Sequence, residues 1–384
     1  MSRPTTPRIV CATSLALGRE AFETLGDVAW LPEAAIGPEA VRDADVLVTR
    51  SKVKVNDRLL EGSRLRFYGT ATAGFDHVDP AALERRGIAW AQAPGSNANS
   101  VAEYVLAALA RIGLDRGIDW TGRVLGIIGA GHVGSRLAAL AKPFGLRVLL
   151  NDPPLRDRTG DAAYVDRDEL LAASDLVSLH VPLTDDGPYP TRGLANARFF
   201  ARMKRGAVFI NASRGEVVDE PSFHAAAGSG AFSAVVLDVF AREPDIDAAM
   251  MARADLVSPH IAGYSYDGRV KGTYMVYAAA CRALGVEPRW AIPAAASPTR
   301  LSAPARLEPS DLYRLITAAY DPAADDRRLR GLTAGQPMGP HFQGLRASYP
   351  ERYEFPHFAV DGLAPGSPGA ATLAALGFVV HSGG

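Results

Sequence analysis

The amino-acid sequence predicts an α/β protein with two doubly wound parallel-sheet domains and a small C-terminal α/β domain. Three features of the 384-residue chain support this fold class. Short apolar, β-rich runs alternate with helix-like stretches, a pattern typical of βαβ units. A glycine-rich turn lies between two such runs near residue 130. A stretch rich in proline and alanine begins at residue 287 and separates a last α/β segment from the rest.

The first domain is predicted over residues 1–99 and is completed by residues 268–286, where a helix leads the chain back to it. The functional loops of a parallel sheet lie at the carboxyl ends of its strands. Arg50, Ser51 and Thr72 occupy such loops, so we predict that this domain binds substrate. The predicted strands are Arg8–Ala12, Val46–Arg50 and Arg64–Ala71.

The second domain, predicted over residues 100–267, contains the glycine turn. Gly129, Gly131 and Gly134 form the pattern GxGxxG directly after the apolar run 124–128. Gly129 permits a tight turn, Gly131 has no Cβ to block a diphosphate, and Gly134 lets the next helix pack closely on the strand. The free N–H groups at the start of that helix then face the anion. The sequence therefore predicts a Rossmann-like, dinucleotide-binding domain.

Asp152 ends the second strand of this unit. A carboxylate there can accept hydrogen bonds from both ribose hydroxyls of the adenosine half and would repel a 2′-phosphate. Arg156 and Arg158 follow closely and keep NADP as an alternative. We predict NAD as the cofactor and no metal.

A helix predicted over Val101–Arg111 leads into the second domain. Ser100 precedes it and Glu103 follows three residues later, which predicts a capping box. Further β-rich runs predict the remaining strands of the sheet, at residues 173–183, 207–212, 234–240 and 256–260.

Three polar residues follow late strands of the second domain: Arg214, Glu243 and His260. Each alone is typical of an ordinary surface or structural residue, but together they supply what the oxidation of a hydroxy acid needs. His260 would accept the hydroxyl proton, Glu243 would orient the imidazole and stabilise its cation, and Arg214 would bind the substrate carboxylate. Asp238 has two equal interpretations, a cofactor contact or the cap of a turn.

Composition excludes several classes of partner. The chain has 41 Lys and Arg against 42 Asp and Glu, a net charge of -1, so neither nucleic acid nor a membrane surface is expected. Cys11 and Cys281 are its two cysteines, which fits a reducing compartment. The N-terminus lacks the apolar segment of a signal peptide. We predict a cytoplasmic protein.

These motifs resemble the NAD-dependent D-2-hydroxyacid dehydrogenases, whose catalytic trio is an Arg, a Glu and a His. The resemblance depends on GAGHVG, Asp152 and the segments 211–215, 237–244 and 258–263. Closer features resemble the members that oxidise a phosphorylated four-carbon acid and carry a C-terminal dimerisation domain. These features are Arg50–Ser51, 54–56, 69–74, 76–79, 152–154, 186–189, 260–264, 312–330, 349–352 and 373–378.

The resemblance implies oxidation of 4-phospho-D-erythronate at C2 to 3-hydroxy-2-oxo-4-phosphooxybutanoate, with NAD, in pyridoxal 5′-phosphate biosynthesis. It also implies a cytoplasmic homodimer formed through a linker and domain at residues 287–384. Ser51, Thr72 and Tyr264 would contact the substrate. The residues implied for the cofactor are Gly129, Gly131, His132, Val133, Gly134, Asp152, Val181, Ala212, Ser213, Arg214, Asp238 and Gly263.

Two other functions stay open. A dehydrogenase of another D-2-hydroxy acid, glycerate or phosphoglycerate, would carry the same motifs. A non-catalytic NAD-sensing regulator would keep the fold, although it would not need the trio.

Two structural questions also stay open from the sequence. The group that binds the substrate phosphate could be Arg50, Lys52 or, reaching across a dimer, Arg346 or Arg352. The segment Leu332–Gln343 contains Gly and Pro and predicts an extra loop in the C-terminal domain.

Overall fold

The computed structural model describes residues 6–294, 297–333 and 335–381. Parts of the predicted N-terminus, linker and loop, among them residues 295, 296 and 334, therefore lie outside the described ranges. The described strands are β1 (Arg8–Ala12), β2 (Asp27–Leu31), β3 (Val46–Thr49), β4 (Phe67–Thr70), β5 (Ala89–Ala91), β6 (Val124–Ile128), β7 (Arg147–Asn151), β8 (Leu176–Leu179), β9 (Ala207–Asn211), β10 (Phe232–Leu237), β11 (Leu256–Val257), β12 (Thr299–Ser302), β13 (Phe358–Asp361) and β14 (Val379–Val380). The described α-helices are α1 (Gly18–Phe22), α2 (Pro38–Val41), α3 (Asp57–Leu60), α4 (Pro80–Arg85), α5 (Ala98–Arg116), α6 (His132–Ala141), α7 (Pro153–Thr159), α8 (Arg167–Ala173), α9 (Ala197–Arg202), α10 (Glu220–Gly228), α11 (Ala248–Ala252), α12 (Tyr266–Leu284), α13 (Pro309–Ala319), α14 (Pro322–Arg330), α15 (Met338–Ala347) and α16 (Pro368–Leu376).

The chain divides into two compact units. The first comprises Met1–Asn97 and Ser265–Ala294, and the second comprises Ala98–Tyr264 and Ala295–Gly384. The predicted boundaries at 99/100 and 267/268 lie within a few residues of these divisions. The C-terminal segment belongs to the same compact unit as the glycine turn, and its assignment to a domain of its own stays a prediction.

The first unit is built on a five-stranded parallel sheet of order β2-β1-β3-β4-β5. Helix α12 packs directly on β4, because a Cβ at Gly69 would lie 2.1 Å from Cγ1 of Val276. The glycine thus allows helix and strand to approach closely. The sequence does not predict the edge strands β2 and β5, which are only partly buried, and β5 has just three residues.

The second unit contains a six-stranded parallel sheet of order β11-β10-β9-β8-β6-β7. Helix α5 is buried over most of its length in the main hydrophobic core. Its alanines let α6 and α13 pack against it closely. The core therefore joins the glycine-turn sheet to the C-terminal segment within one unit.

The predicted capping box at the start of α5 is wrong. The helix begins at Ala98, so Ser100 and Glu103 lie inside it. The Ser100 hydroxyl donates to the carbonyl of Ala262 at 2.8 Å, and Glu103 accepts the N–H of Phe355 at 3.0 Å. Both side chains serve tertiary contacts rather than the helix end.

The C-terminal segment has its own three-stranded parallel sheet of order β12-β13-β14. Strand β12 lies in the stretch predicted to be a linker, where pairing with β13 supplies its hydrogen bonds. The predicted loop Leu332–Gln343 is wrong in its second half, which belongs to helix α15 (Met338–Ala347) with Phe342 fully buried. Among the helices of the described ranges, none has both the length and the apolar character needed to cross a membrane.

Candidate active site

One row of residues at the carboxyl end of the six-stranded sheet precedes most of the predicted site. Strand pairing aligns Asn151, Ile128, Leu179, Asn211, Leu237 and Val257 across the sheet. The strand order reverses between β6 and β8, and α/β sheets bind ligands outside the strand ends at such a reversal. The residues predicted for cofactor and catalysis that follow this row are Gly129, Gly131, Asp152, Val181, Ala212, Ser213, Arg214, Asp238, Glu243 and His260.

The glycine turn has a conformation that other residues would not adopt. Gly129 has φ of +90°, and a Cβ there would lie 2.5 Å from the carbonyl oxygen of His180. A Cβ on Gly134 would lie 1.9 Å from the carbonyl oxygen of Gly129. A Cβ on Gly131, in contrast, would meet no described atom within 4 Å. The first and third glycines thus serve the packing of the turn, while the second faces open space that suits a ligand.

Helix α6 begins at His132 with its first N–H groups free of a side-chain cap within the described ranges. Val133 is the second residue of this first turn. Free N–H groups and the positive end of the helix dipole favour an anion. The turn and helix therefore fit the diphosphate of a dinucleotide.

Asp152 connects the end of β7 to the glycine turn. Its Oδ2 accepts the N–H of Ala130 at 2.8 Å, and its Oδ1 accepts the N–H of Leu155 at the start of α7 at 3.0 Å. These bonds hold the carboxylate beside the turn, as a ribose ligand would require. Arg156 is paired with Asp166 at 2.6 Å, so its charge is already partly neutralised.

Val181 follows β8 and borders the glycine turn, since its Cγ1 would lie 2.9 Å from a Cβ on Gly129. The preceding His180 shares a 2.8 Å hydrogen bond between its Nε2 and the Ser178 hydroxyl. Burial lowers the pKa of His180 to about 3. This imidazole is therefore neutral at physiological pH and serves the structure of the strand end.

The loop after β9 presents Arg214. Asn211 organises this loop: its Oδ1 accepts the N–H of Ser213 at 3.1 Å and the Ser213 hydroxyl at 2.8 Å, and its Nδ2 donates to the carbonyl of Arg214 at 2.9 Å. Gly215 packs against the neighbouring loop, since a Cβ there would lie 1.9 Å from the carbonyl carbon of Phe240. The Arg214 loop is therefore fixed against the chain that leads to Glu243.

Glu243 and His260 form a direct pair. Oε2 of Glu243 lies 2.7 Å from Nδ1 of His260, and Oε1 accepts the N–H of Phe240 at 3.0 Å. Burial would raise the pKa of Glu243, but the charge and hydrogen bond of His260, the Phe240 N–H and the charge of Arg346 hold that pKa below its usual value. Glu243 is therefore ionised at neutral pH.

Asp238 organises the backbone around His260. Its Oδ1 accepts the Ser258 hydroxyl at 2.6 Å and the N–H of Ile261 at 2.8 Å, while its Oδ2 accepts the N–H of Ala262 at 3.0 Å. The carboxylate is buried and its two oxygens serve this turn. Of the two interpretations left open by the sequence, this geometry supports the turn cap. Its role toward a cofactor, like that of neighbouring Gly263, stays a prediction.

Tyr264 lies four residues after His260 and contacts the C-terminal segment of the same chain. Arg346 donates from Nη2 to the Tyr264 hydroxyl at 3.1 Å, and its Cζ lies 5.4 Å from the ring centroid. The charge of Arg346 also acts on Glu243. A cation from α15 thus lies beside a predicted substrate contact, and its charge favours the ionised form of Glu243.

Arg352 is a poor phosphate ligand in this structure, contrary to one alternative from the sequence. The side chain is buried, and its two Nη atoms donate to the carbonyl oxygens of Ala262 and Ser100. A guanidinium committed to main-chain oxygens inside the fold has no access to a soluble anion.

The predicted substrate residues of the first unit lie at the carboxyl ends of its strands. Arg50 and Ser51 directly follow β3, and Thr72 follows β4. The Thr72 hydroxyl donates to the carbonyl of Gly74 at 2.7 Å. Ser51 and Lys52 are exposed, while Arg50 is half-buried. Their roles toward the substrate stay predictions.

Comparison with known proteins relates this geometry to a family. Residues 110–262 match the NAD-binding domain of the D-isomer-specific 2-hydroxyacid dehydrogenases. The chain is 44% identical over 374 residues to the erythronate-4-phosphate dehydrogenase of Salinibacter ruber, covering 94% of this chain and 95% of that protein. It is 41% identical over 362 residues to the enzyme of the same name from Azotobacter vinelandii, covering 93% and 94%.

The chain belongs to the erythronate-4-phosphate dehydrogenase family. The NAD-bound 3-phosphoglycerate dehydrogenase of Entamoeba histolytica has a similar fold, with a TM-score of 0.63 at 22% identity over 73% of this chain and 96% of that one. The predicted family, the α/β fold class with its parallel sheets and the predicted NAD cofactor are confirmed.

The sequence did not indicate the residues that support the predicted catalytic pair from other parts of the chain. Tyr104 bonds Ser258 at 2.7 Å between the two hydroxyls, and Ser100 and Arg352 bond the carbonyl of Ala262. Ser100 and Tyr104 lie more than 150 residues away in sequence from the loop that they bond, and Arg352 lies 90 residues away. No local pattern in the sequence marks them.

Proposed function

We propose that this protein is the NAD-dependent enzyme that oxidises 4-phospho-D-erythronate at C2 to 3-hydroxy-2-oxo-4-phosphooxybutanoate. The single observation that supports it most is the Glu243–His260 pair, 2.7 Å apart, at the sheet edge that also carries the glycine turn. Relatives at 44% and 41% identity carry the corresponding name. The proposal includes a role in pyridoxal 5′-phosphate biosynthesis, a cytoplasmic location and a homodimer formed through residues 287–384.

His260 is the general base in this proposal. Ionised Glu243 can only accept a hydrogen bond, so the proton of the neutral imidazole stays on Nδ1, facing Oε2. The lone pair of Nε2 is then available for the proton of the substrate C2 hydroxyl. When that proton arrives the imidazole becomes a cation, and the carboxylate 2.7 Å away stabilises it.

Arg214 binds the substrate carboxylate in this proposal. Its loop is fixed by Asn211 and by the close approach of Gly215 to Phe240. A planar guanidinium suits two-point binding of a carboxylate. NAD, when bound by the glycine turn, the start of α6 and Asp152, supplies the acceptor for the C2 hydride. His260 and Arg214 together then determine which hydroxyl of the substrate is deprotonated.

Arg346 is the residue we assign to the substrate phosphate. It bonds the hydroxyl of Tyr264, a proposed substrate contact, at 3.1 Å, and its charge favours the ionised form of Glu243. Arg352 is the weaker candidate, because it is buried and its donors bond main-chain oxygens. Charged hydrogen bonds from arginine are the usual means of phosphate recognition.

The test is the initial rate of NADH formation with 4-phospho-D-erythronate, D-erythronate, D-glycerate and 3-phospho-D-glycerate. We expect 4-phospho-D-erythronate to have the highest kcat/KM. A kcat/KM for D-glycerate or 3-phospho-D-glycerate that equals or exceeds it would refute the substrate assignment in favour of another 2-hydroxy acid. His260→Ala should abolish turnover and retain NADH binding, whereas a wild type that binds NADH without any turnover would indicate a regulator.

Arg346→Met tests the phosphate assignment separately. Loss of a charged hydrogen bond costs roughly 1.5–3 kcal/mol, so kcat/KM for 4-phospho-D-erythronate should fall about 10- to 150-fold. The loss on unphosphorylated D-erythronate should be clearly smaller, since it reflects only the contacts of Arg346 with Tyr264 and its charge on Glu243. The matched control is Arg314→Met, whose arginine is exposed and paired with Asp311. An equal loss on both substrates would contradict the assignment.

A further inference from the structure

The loop that carries the proposed base has a backbone that does not form by itself. We define this His260 loop as residues 258–262. His260 has φ of +55°, in the left-handed region that residues with a Cβ avoid. Such a backbone persists only where surrounding contacts fix it. The contacts on the His260 loop are therefore part of what orients the imidazole.

Asp238 binds hydrogen-bond donors of the His260 loop but not its carbonyl groups. Its carboxylate accepts the N–H groups of Ile261 and Ala262, and its carbonyl accepts the N–H of His260 at 2.8 Å. All of these bonds act on N–H donors of the loop. The carbonyl of Ala262 is held from elsewhere in the unit.

Ser100 and Arg352 hold the carbonyl of Ala262. The Ser100 hydroxyl donates to it at 2.8 Å, and Nη1 of Arg352 donates to it at 3.2 Å. Nη2 of Arg352 also donates to the Ser100 carbonyl at 2.5 Å and contacts the Ser100 hydroxyl at 3.1 Å. One guanidinium thus connects the start of α5, the His260 loop and the C-terminal segment.

The guanidinium of Arg352 is itself fixed. The residue is 5% exposed, and its Cζ lies 4.0 Å from the ring centroid of Tyr320, within the range of a cation–π interaction. Glu354 supplies opposite charge nearby, whereas burial and Glu354 raise the pKa of Glu103 well above its usual value. A buried cation with a ring on one face and charge compensation around it holds a single position. It can therefore hold the Ala262 carbonyl in one position as well.

We propose that Arg352 is a positioning residue for catalysis: through the Ala262 carbonyl it fixes the left-handed backbone at His260 and so the direction of the imidazole. This inference rests on the proposed function, in which His260 is the base. It gives the C-terminal segment a role in the reaction in addition to its proposed role in the dimer. Arg352 acts through His260 and does not touch the reacting atoms.

The test compares steady-state kinetics of Arg352→Met, Arg352→Lys and Ser100→Ala with those of the wild type, using 4-phospho-D-erythronate and NAD. Small displacements of a reacting group cost about 100-fold in rate, so Arg352→Met should lower kcat by about that factor. Ser100→Ala removes one of two donors and should cost about 10-fold. Arg352→Lys keeps the charge and a donor, and should recover part of the lost kcat.

Further readouts separate positioning from general damage. The KM for NAD and the dissociation constant of NADH should change far less than kcat, because the glycine turn, which holds the diphosphate in the proposal, has its own supports. The Ser100→Ala/Arg352→Met double variant should lose less than the product of the two single effects, since both act on one carbonyl. Arg300→Met is the control: Arg300 is 66% exposed and paired with Asp361 in the C-terminal sheet.

The outcomes are distinct. A folded Ser100→Ala and a folded Arg352→Lys that both keep wild-type kcat would overturn the proposal, and these two milder variants decide it if Arg352→Met does not fold. A uniform loss of kcat, NADH affinity and melting temperature would overturn it as well. A wild type without turnover would instead refute the proposed function, on which this inference depends.

Discussion

Glu243→Gln is the substitution whose effect the structure defines most closely. In the wild type, Oε1 accepts the N–H of Phe240 at 3.0 Å and Oε2 lies 2.7 Å from Nδ1 of His260. A glutamine keeps the bond to Phe240 only if its carbonyl takes the Oε1 position. Its NH2 group then faces Nδ1, and two donors would meet unless the imidazole proton moves to Nε2. The variant therefore holds the base in the wrong tautomer.

Two contributions set the magnitude of this effect. Loss of a charged hydrogen bond to the developing imidazolium costs roughly 1.5–3 kcal/mol, or about 10- to 150-fold in kcat. The wrong tautomer adds to this, and the same acid-to-amide change in a serine protease triad costs about 10⁴-fold. We therefore expect kcat of Glu243→Gln to fall by roughly 10²–10⁴. The KM for NAD should stay close to the wild-type value, because the carboxylate oxygens of Glu243 bond Phe240 and His260.

The assay is the steady-state rate of NADH formation, together with NADH binding by fluorescence and thermal unfolding. Glu243→Ala separates the two contributions, because an alanine removes the carboxylate without imposing a tautomer, and it should be no more damaging than Glu243→Gln. Glu220→Gln is the matched control, since Glu220 forms a 3.5 Å ion pair with exposed Arg242. A folded Glu243→Gln with kcat within about threefold of the wild type would refute this reasoning.

Two further predictions concern the glycine turn and its neighbour. Gly131→Ala should keep the melting temperature but weaken NADH binding by about 10-fold or more. Gly134→Ala should lower the melting temperature, because its Cβ would lie 1.9 Å from the Gly129 carbonyl oxygen. Equal NADH binding by Gly131→Ala and the wild type would count against the turn as the diphosphate site. His180 has a folded-state pKa near 3, below its unfolded value of about 6.5, so the unfolded chain binds a proton that the native chain does not, and stability falls as pH drops through that window. In urea unfolding between pH 7 and pH 5, the free energy of unfolding of the wild type should fall by up to about 1.4 kcal/mol per pH unit more than that of His180→Asn. Parallel pH profiles for the two proteins would contradict a buried, neutral imidazole at His180.

The parts of the fold that the sequence predicted depend on short-range chemistry. The glycine turn forms from a positive φ at Gly129 and a close contact at Gly134, both encoded within six residues. The run 124–128 before it is β6, as expected. Because the interacting residues lie so close in sequence, the local pattern alone predicts the geometry of the turn.

The errors share one cause, which is a partner far away in sequence. Ser100 and Glu103 match a capping box locally, but their partners are residues 262 and 355. Thr299–Ser302 is a strand only because it pairs with Phe358–Asp361. Tertiary contacts override local preference in both places, and no inspection of the nearby residues reveals them.

The sequence predicted the residue types of the candidate site, but not the contacts that hold them in place. Arg214, Glu243 and His260 follow neighbouring strands β9, β10 and β11, and parallel strands place their carboxyl ends at one edge. The pairing of Glu243 with His260 follows from that edge. The bonds from Arg352 and Arg346 do not, because they depend on how the C-terminal segment packs on the second unit.

The most direct test of the account is a crystal structure of the protein with NADH and 4-phospho-D-erythronate. We expect Nε2 of His260 within about 2.6–3.2 Å of the substrate C2 oxygen, the guanidinium of Arg214 on its carboxylate, and the diphosphate on the N–H groups that follow Gly131. A diphosphate bound away from the glycine turn, or an imidazole more than one water molecule from the C2 oxygen, would contradict the account.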